Sequence, residues 1–431
     1  LTSGTAYTIG LRAVNALGSA TPSATVAVTT LTTPNAPTGL SATPGDTQVA
    51  VAFTPPTSDG GSAITNYEYT TNGGVSWAAF APATTSSPVT ITGLTSGTAY
   101  TIGLRAVNGV GAGTPSATVA VTTLTTPNAP TGLSATPGET QVTVAFTPPT
   151  SDGGSAITNY EYTTNGGVSW AAFAPATTSS PVTITGLTSG TAYTIGLRAV
   201  NALGSATPSA TVAVTTLTTP NAPTGLSATP GDTQVAVAFT PPTSDGGSAI
   251  TNYEYTTNGG VSWAAFAPAT TSSPVTITGL TSGTAYTIGL RAVNGVGAGT
   301  PSATVAVTTL TTPNAPTGLS ATPGETQVTV AFTPPTSDGG SAITNYEYTT
   351  NGGVSWAAFA PATTSSPVTI TGLTSGTAYT IGLRAVNALG AGTPSPTVAV
   401  TTLTTPNAPT GLNATPGDTQ VAVAFTSPTT D

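Results

Sequence analysis

The 431-residue sequence has no cysteine, no methionine and no histidine, and all five of its basic residues are arginine. Each absence removes a class of chemistry. Without cysteine there is no disulfide and no thiolate to attack a substrate or hold a metal, and without methionine there is no thioether to oxidise. With neither histidine nor lysine the usual general bases and amine nucleophiles are missing, and no two acids fall at an active-site spacing. Charged residues make up 4% of the chain, and 14 acids against five arginines give a formal net charge of −9. Nucleic acid, whose phosphates demand a basic patch, is excluded as a partner. No catalytic residue, no cofactor and no metal is expected. A chain so short of reactive side chains and tryptic sites suits long residence outside a cell.

What remains is glycine, proline, serine and threonine, a composition that by itself suggests disorder. Against this, 38% of the residues are apolar, and they fall in alternating runs. Leu94 to Val107, Leu-Thr-Ser-Gly-Thr-Ala-Tyr-Thr-Ile-Gly-Leu-Arg-Ala-Val, returns intact at Leu1, Leu187, Leu280 and Leu373, each copy 93 residues after the last. Within it Tyr100, Ile102, Leu104 and Ala106 alternate with Thr101, Gly103 and Arg105, the two-residue period of a half-buried strand. The chain is therefore one module repeated, with full copies at 34–126, 127–219, 220–312 and 313–405. A module of this length can close an apolar core without staples. Residues 1–33 and 406–431 read as partial modules, so the sequence is expected to be a stretch of a longer array.

Leu94-Thr-Ser-Gly-Thr-Ala is a turn followed by a strand-opening tyrosine, and it resembles the tyrosine corner of a β-sandwich. Pro37-Thr-Gly-Leu-Ser-Ala resembles strand A of the fibronectin type III domain, and Gln48-Val-Ala-Val-Ala-Phe-Thr-Pro-Pro its strand B. Ser58-Asp-Gly-Gly-Ser-Ala-Ile-Thr-Asn-Tyr-Glu-Tyr resembles the B–C loop and strand C, Pro88-Val-Thr-Ile-Thr-Gly-Leu strand E, the Leu94 stretch strand F, and Ala117-Thr-Val-Ala-Val-Thr-Thr strand G. The resemblance runs the whole length of each module. It implies an all-β fold, a tandem array of immunoglobulin-like β-sandwiches, in which 1–33 supplies strands F and G and 406–431 strands A and B. The family usually has tryptophan in strand B where this chain has Phe53, so Trp77 is the candidate to fill the space. This sandwich serves as a general scaffold, and it points to a module or a material rather than to a reaction.

In the family's sheet order strands C and F are neighbours, which sets outward Glu68 opposite Arg105 as a cross-strand pair. The alternative is that Arg105, the module's sole cation, reaches an acid on another module or chain. Thr70-Thr-Asn-Gly-Gly-Val-Ser-Trp77 resembles the Asp-box turn of sialidases and other β-propellers and reads as a hairpin with Trp77 packed on the sandwich. The functional alternative makes Trp77 and Phe80 an exposed platform for sugar rings or another chain. The candidate contact residues are thus Trp77, Phe80 and Arg105, with their copies Trp170, Phe173, Arg198, Trp263, Phe266, Arg291, Trp356, Phe359 and Arg384. Asp59 reads as the cap of its turn rather than a calcium ligand.

Between modules, Leu31-Thr-Thr-Pro-Asn-Ala-Pro is short and its prolines fix φ, so a stiff joint is expected. Two module types alternate. Asp46 gives way to Glu139 and reverts at Asp232, while Asn108-Gly-Val-Gly-Ala-Gly alternates with Asn201-Ala-Leu-Gly-Ser-Ala. Either the acids and loops compensate in size at the joints, or a duplicated pair carried the differences along. The function expected is a non-enzymatic extracellular structural protein, a secreted cell-surface fibre, sheath or stalk that associates with itself. The alternatives are an adhesin array binding glycans or a host surface, and the spacer of a secreted carbohydrate-active enzyme or phage tail protein.

Overall fold

A computed structural model describes residues 1–428; the last three residues of the expected partial module at 406–431 lie outside it. The described residues hold strands and no helix, so no helix among them is long and apolar enough to cross a membrane. The chain forms two compact units, Leu1–Leu217 and Thr218–Asp431. In the first unit, β1 (Ala6–Ile9) pairs antiparallel with β4 (Val26–Thr29), and β2 (Val14–Asn15) with β3 (Gly18–Ser19).

The first full repeat then runs through β5 (Thr38–Pro44), β6 (Gln48–Thr54), β7 (Asn66–Thr70), β8 (Ala78–Ala79), β9 (Val89–Thr92), β10 (Ala99–Val107) and β11 (Val119–Thr122). These strands make two antiparallel sheets, one of order β5-β6-β9 and one of order β11-β10-β7-β8. Both sheets recur in each of the three later full repeats, the second with an added short strand, Gly204–Ser205 or Gly390–Ala391, in repeats 127–219 and 313–405. At the end of the second unit Thr410–Gly417 pairs with Gln420–Thr426.

Parity decides which residues meet between the sheets. On β6, Val49, Val51 and Phe53 are buried while Ala52 is exposed and Ala50 only half-buried; on β9 the buried pair is Val89 and Ile91. On β10, Ile102, Leu104 and Ala106 are fully buried. Each large aliphatic side chain so placed contributes about 1.5–3 kcal/mol relative to exposure. The corner turn is fixed by Tyr100, whose hydroxyl accepts the Thr95 N–H at 2.9 Å, and the same bond forms in every full repeat. Where regular pairing ends, side chains take over: Ser116 Oγ accepts the Leu104 N–H at 3.0 Å and donates to the Ala117 carbonyl at 2.8 Å.

Trp77 does not fill the space beside Phe53, contrary to expectation. Tyr67 does so, its ring meeting that of Phe53 edge-on with centroids 4.7 Å apart. The reason is strand parity: Tyr67 points inward from β7, whereas Trp77 follows a turn that lays it across the outward glycine of β10, Gly103. The equivalent tyrosines Tyr160, Tyr253 and Tyr346 bury their hydroxyls with no hydrogen-bond partner among the described residues. Desolvation raises the pKa of each.

A buried donor left unpaired costs about 1–3 kcal/mol, so replacing Tyr160, Tyr253 and Tyr346 together by Phe is expected to leave unchanged or raise the thermal midpoint of the full chain. The pH dependence has a definite sign. Above the unfolded tyrosine pKa of about 10 the unfolded chain releases a proton that the folded chain retains, so stability falls as pH rises. Alkaline unfolding followed by circular dichroism should begin later in the triple Phe variant than in the parent chain.

Candidate functional site

The outer face of the four-stranded sheet gathers the arginine and tryptophan of each repeat. Arg105 on β10 stands in register opposite Glu68 on β7, and its Nε lies 2.6 Å from Glu68 Oε2. Its guanidinium carbon also sits 4.6 Å from the centre of the Trp77 ring. The indole lies over Gly103, where a Cβ would stand 3.6 Å from the ring and 3.1 Å from the Thr70 methyl. The turn leading there is held by side chains. Asn72 Oδ1 accepts from Thr70 Oγ1 and from the Ser76 N–H, Asn72 Nδ2 donates to Ser76 Oγ, and Thr70 Oγ1 accepts the Gly74 N–H.

The arrangement repeats at Arg198–Glu161–Trp170, Arg291–Glu254–Trp263 and Arg384–Glu347–Trp356. Each of these arginines is committed within its own repeat, to one carboxylate and one ring. Phe80 points the other way, half-buried with its ring tilted on Tyr69 at 4.8 Å; Phe173, Phe266 and Phe359 do the same on Tyr162, Tyr255 and Tyr348. Trp77 and Phe80 thus form no shared exposed platform, because one lies outside the sheet under an arginine and the other turns into the core. Asp59 caps its turn, accepting the Gly61 N–H at 2.8 Å.

Within the first unit, the linker between repeats 34–126 and 127–219 is the more demanding construction. Leu124 belongs to the first repeat: its N–H donates to the Gly45 carbonyl at 2.8 Å, and its carbonyl accepts from Gly97 N–H and Ser96 Oγ. The very next residue belongs to the second. Thr125 N–H donates to the Gly153 carbonyl at 2.9 Å, and its carbonyl accepts from Asn201 Nδ2 at 2.8 Å. Asn201 is buried, and its amide also donates to the Asp152 carbonyl while Oδ1 accepts the Leu203 N–H. Gly153 has φ +74°, and a Cβ there would fall 2.0 Å from the Thr125 carbonyl oxygen. Side chains cross the joint as well. Leu124 Cδ2 lies 2.8 Å from where a Cβ of Gly154 would be, and Thr125 packs on Gly97.

The second unit builds its joint in the same way through Leu310, Thr311, Gly339 and Asn387. Of the two readings of the alternating acids and loops, size compensation finds no hydrogen bond between Asp46 and the 201–206 loop. Asp46 is exposed, its side chain makes no hydrogen bond among the described residues, and the Gly45 carbonyl does the holding. Sequence reasoning passed over Asn201 and Gly153. Their signal was present in the internal copies, since the asparagine persists where the two residues after it change.

Residues 35–122, 128–215, 221–308 and 314–401 each match the model of the fibronectin type III domain. The chain belongs to the fibronectin type III family. Exoglucanase B of Cellulomonas fimi is 33% identical over 299 residues, covering 65% of this chain and 26% of that protein. Endoglucanase B of Cellulomonas fimi is 33% identical over 260 residues, covering 56% and 24%. The chain thus spans about a quarter of the length of these two curated relatives. A kelch domain-containing protein of Saccharolobus solfataricus is 33% identical over 119 residues, 28% of this chain and 16% of that one. Among solved structures, the FN1–FN3 domains of chicken CNTN1 match at 19% identity over 64% of this chain and 99% of that one, with a TM-score of 0.23 that carries no weight here.

In these fibronectin type III repeats each tryptophan reports on its arginine, since the chain has four tryptophans and each lies under one. Arg105→Ala should cost its repeat about 1 kcal/mol, from a surface ion pair and an exposed cation–π contact. It should also raise acrylamide quenching of tryptophan emission. Asn201→Asp keeps the shape and removes both donors, leaving the Thr125 and Asp152 carbonyls unmet at about 1–3 kcal/mol each. Denaturant unfolding of the full chain should show an early transition in that variant.

Proposed function

We propose that the chain is a non-catalytic structural stalk or spacer, working outside a bacterial cell and holding what flanks it at a fixed separation. The observation that carries this reading is the linker hand-over, in which Leu124 is bonded to one repeat and Thr125 to the next with no residue between them. A flexible tether has spare residues; this joint has none. The family match covers fibronectin type III repeats alone, and two relatives are named as glucanases in which the matched part is about a quarter of the length. A spacer within a larger carbohydrate-active protein fits both facts. The scarcity of oxidisable and tryptic residues fits an extracellular setting.

A second reading, a fibre of chains side by side, draws support from the outer face of the three-stranded sheet. There Thr43, Ala50 and Thr90 stand in register, uncharged, in a pattern that returns every 93 residues with threonine at 143 and 329. Two measurements separate the readings. With no native cysteine, Thr90→Cys and Thr183→Cys in the full chain take spin labels on equivalent exposed sites of adjacent repeats. Pulsed dipolar spectroscopy should give one narrow distance distribution; a broad one would sink the spacer reading. Light scattering should report a monomer across concentration, whereas growth with concentration would move the assignment to a self-associating fibre.

A further inference from the structure

The loop between β10 and β11 is tied back to the start of its own repeat by one backbone bond. Thr114 N–H donates to the Pro34 carbonyl at 3.2 Å, and the same tether joins Thr300 to Pro220 at 3.2 Å and Thr393 to Pro313 at 3.1 Å. The residue before the threonine is glycine in all three. A Cβ at Gly113, Gly299 or Gly392 would fall 2.3, 2.3 or 2.2 Å from that proline carbonyl oxygen, a distance no real Cβ tolerates. Only glycine allows the tether.

The repeat 127–219 has Ala206 at this place, and no such bond links Thr207 to Pro127. The neighbouring ladder is intact: Ala206 N–H donates to the Ala199 carbonyl at 2.7 Å, as Gly113 N–H does to Ala106 at 2.8 Å. The loop is anchored elsewhere instead. Ser205 Oγ donates to Glu161 Oε2 at 2.8 Å, a bond unavailable to Ala112, Ala298 and Ala391.

The last full repeat supplies the control. It has the same tight hairpin, with Asn387–Gly390 paired as Asn201–Gly204 is, yet it retains glycine at 392 and retains the tether. Hairpin shape is therefore not the cause, which leaves Ala206 in place of Gly392 and Ser205 in place of Ala391, and of these only the methyl of Ala206 would meet the proline carbonyl.

We infer that Ala206 is an uncoupling position. In its repeat the Ala206 end of the loop lacks the bond to Pro127 and is fastened to the sheet through Glu161, while Asn201 keeps its bond to Thr125, so local opening at Pro127 is easier than at Pro34, Pro220 or Pro313 although the docking of the linker is unchanged. One methyl thereby sets the compliance of the linker at the start of repeat 127–219. Ala20 occupies the matching place 186 residues earlier. The inference concerns the joint alone and stands whether the array is a spacer or a fibre.

Hydrogen exchange on the full chain tests it, because the peptide spanning Asn387 to Ser395 is unique in sequence. In the parent chain the Thr393 amide should be protected. In Gly392→Ala it should exchange about tenfold faster, the size expected for one net hydrogen bond, while the Ser395 amide, bonded to the Leu383 carbonyl, keeps its protection. Conversely Ala206→Gly, which only removes a methyl, should bring Thr207 to the protection of Thr393. If Gly392→Ala unfolds its repeat, Ser395 loses protection too and the Ala206→Gly variant decides. An unchanged Thr393 in a folded Gly392→Ala chain, or an unprotected Thr207 in Ala206→Gly, overturns the inference.

Discussion

A backbone amide taken from water must find another partner, and at the joints of this chain that demand is met with nothing left over. Leu124 has its three bonds in one sandwich, and Thr125 has its two in the next. Every other feature of the joint serves this division. Gly153 leaves room for the Thr125 carbonyl, the buried Asn201 amide supplies the donor, and Leu124 and Thr125 each pack on a glycine across the boundary. Prolines in the linker restrict φ but bond to nothing through nitrogen, so they stiffen the segment without fixing where it docks. The docking comes from loops that belong to the sandwiches themselves.

That arrangement makes the sandwich and its joint one structure. The loop holding Asn108 or Asn201 follows directly on an inner strand of the four-stranded sheet, and its position follows from the core beneath that strand. Core packing therefore reaches the linker through a few bonds. Nearly identical copies act as an internal substitution series, and they show how little is needed to alter the outcome: a methyl in place of a hydrogen removes one tether, and a serine hydroxyl adds another.

The outward face illustrates a different economy. An acidic, sparsely charged chain places one cation in each full repeat, and that cation pairs with Glu68 and Trp77 or their copies. Gly103 lies beneath the indole, and a Cβ there would touch the ring at 3.6 Å and crowd the Thr70 and Thr118 methyls at 3.1 and 3.3 Å. Each tryptophan is half-buried, with one arginine against its ring.

The all-β sandwich, the repeat length and the inward set on β6, β9 and β10 were legible in the alternation of apolar residues, because a strand's two-residue period leaves each side chain only two faces to choose between. The tyrosine corner and the Asn72 turn were legible for a similar reason: their bonds span at most five residues. The pairing of Glu68 with Arg105 needed only the order of the strands. Other features were decided by the tertiary structure alone. Tyr67 rather than Trp77 fills the space at Phe53, Asn201 reaches Thr125 across 76 residues, and Gly113 meets Pro34 from the far side of the repeat. Such contacts join loops whose approach is set by two sheets packing together, and no local period encodes that distance. The sequence by itself determined the module and its core; which residues hold one module's chain to the next was settled by the folded geometry, where a carbonyl and a Cβ compete for the same few ångströms.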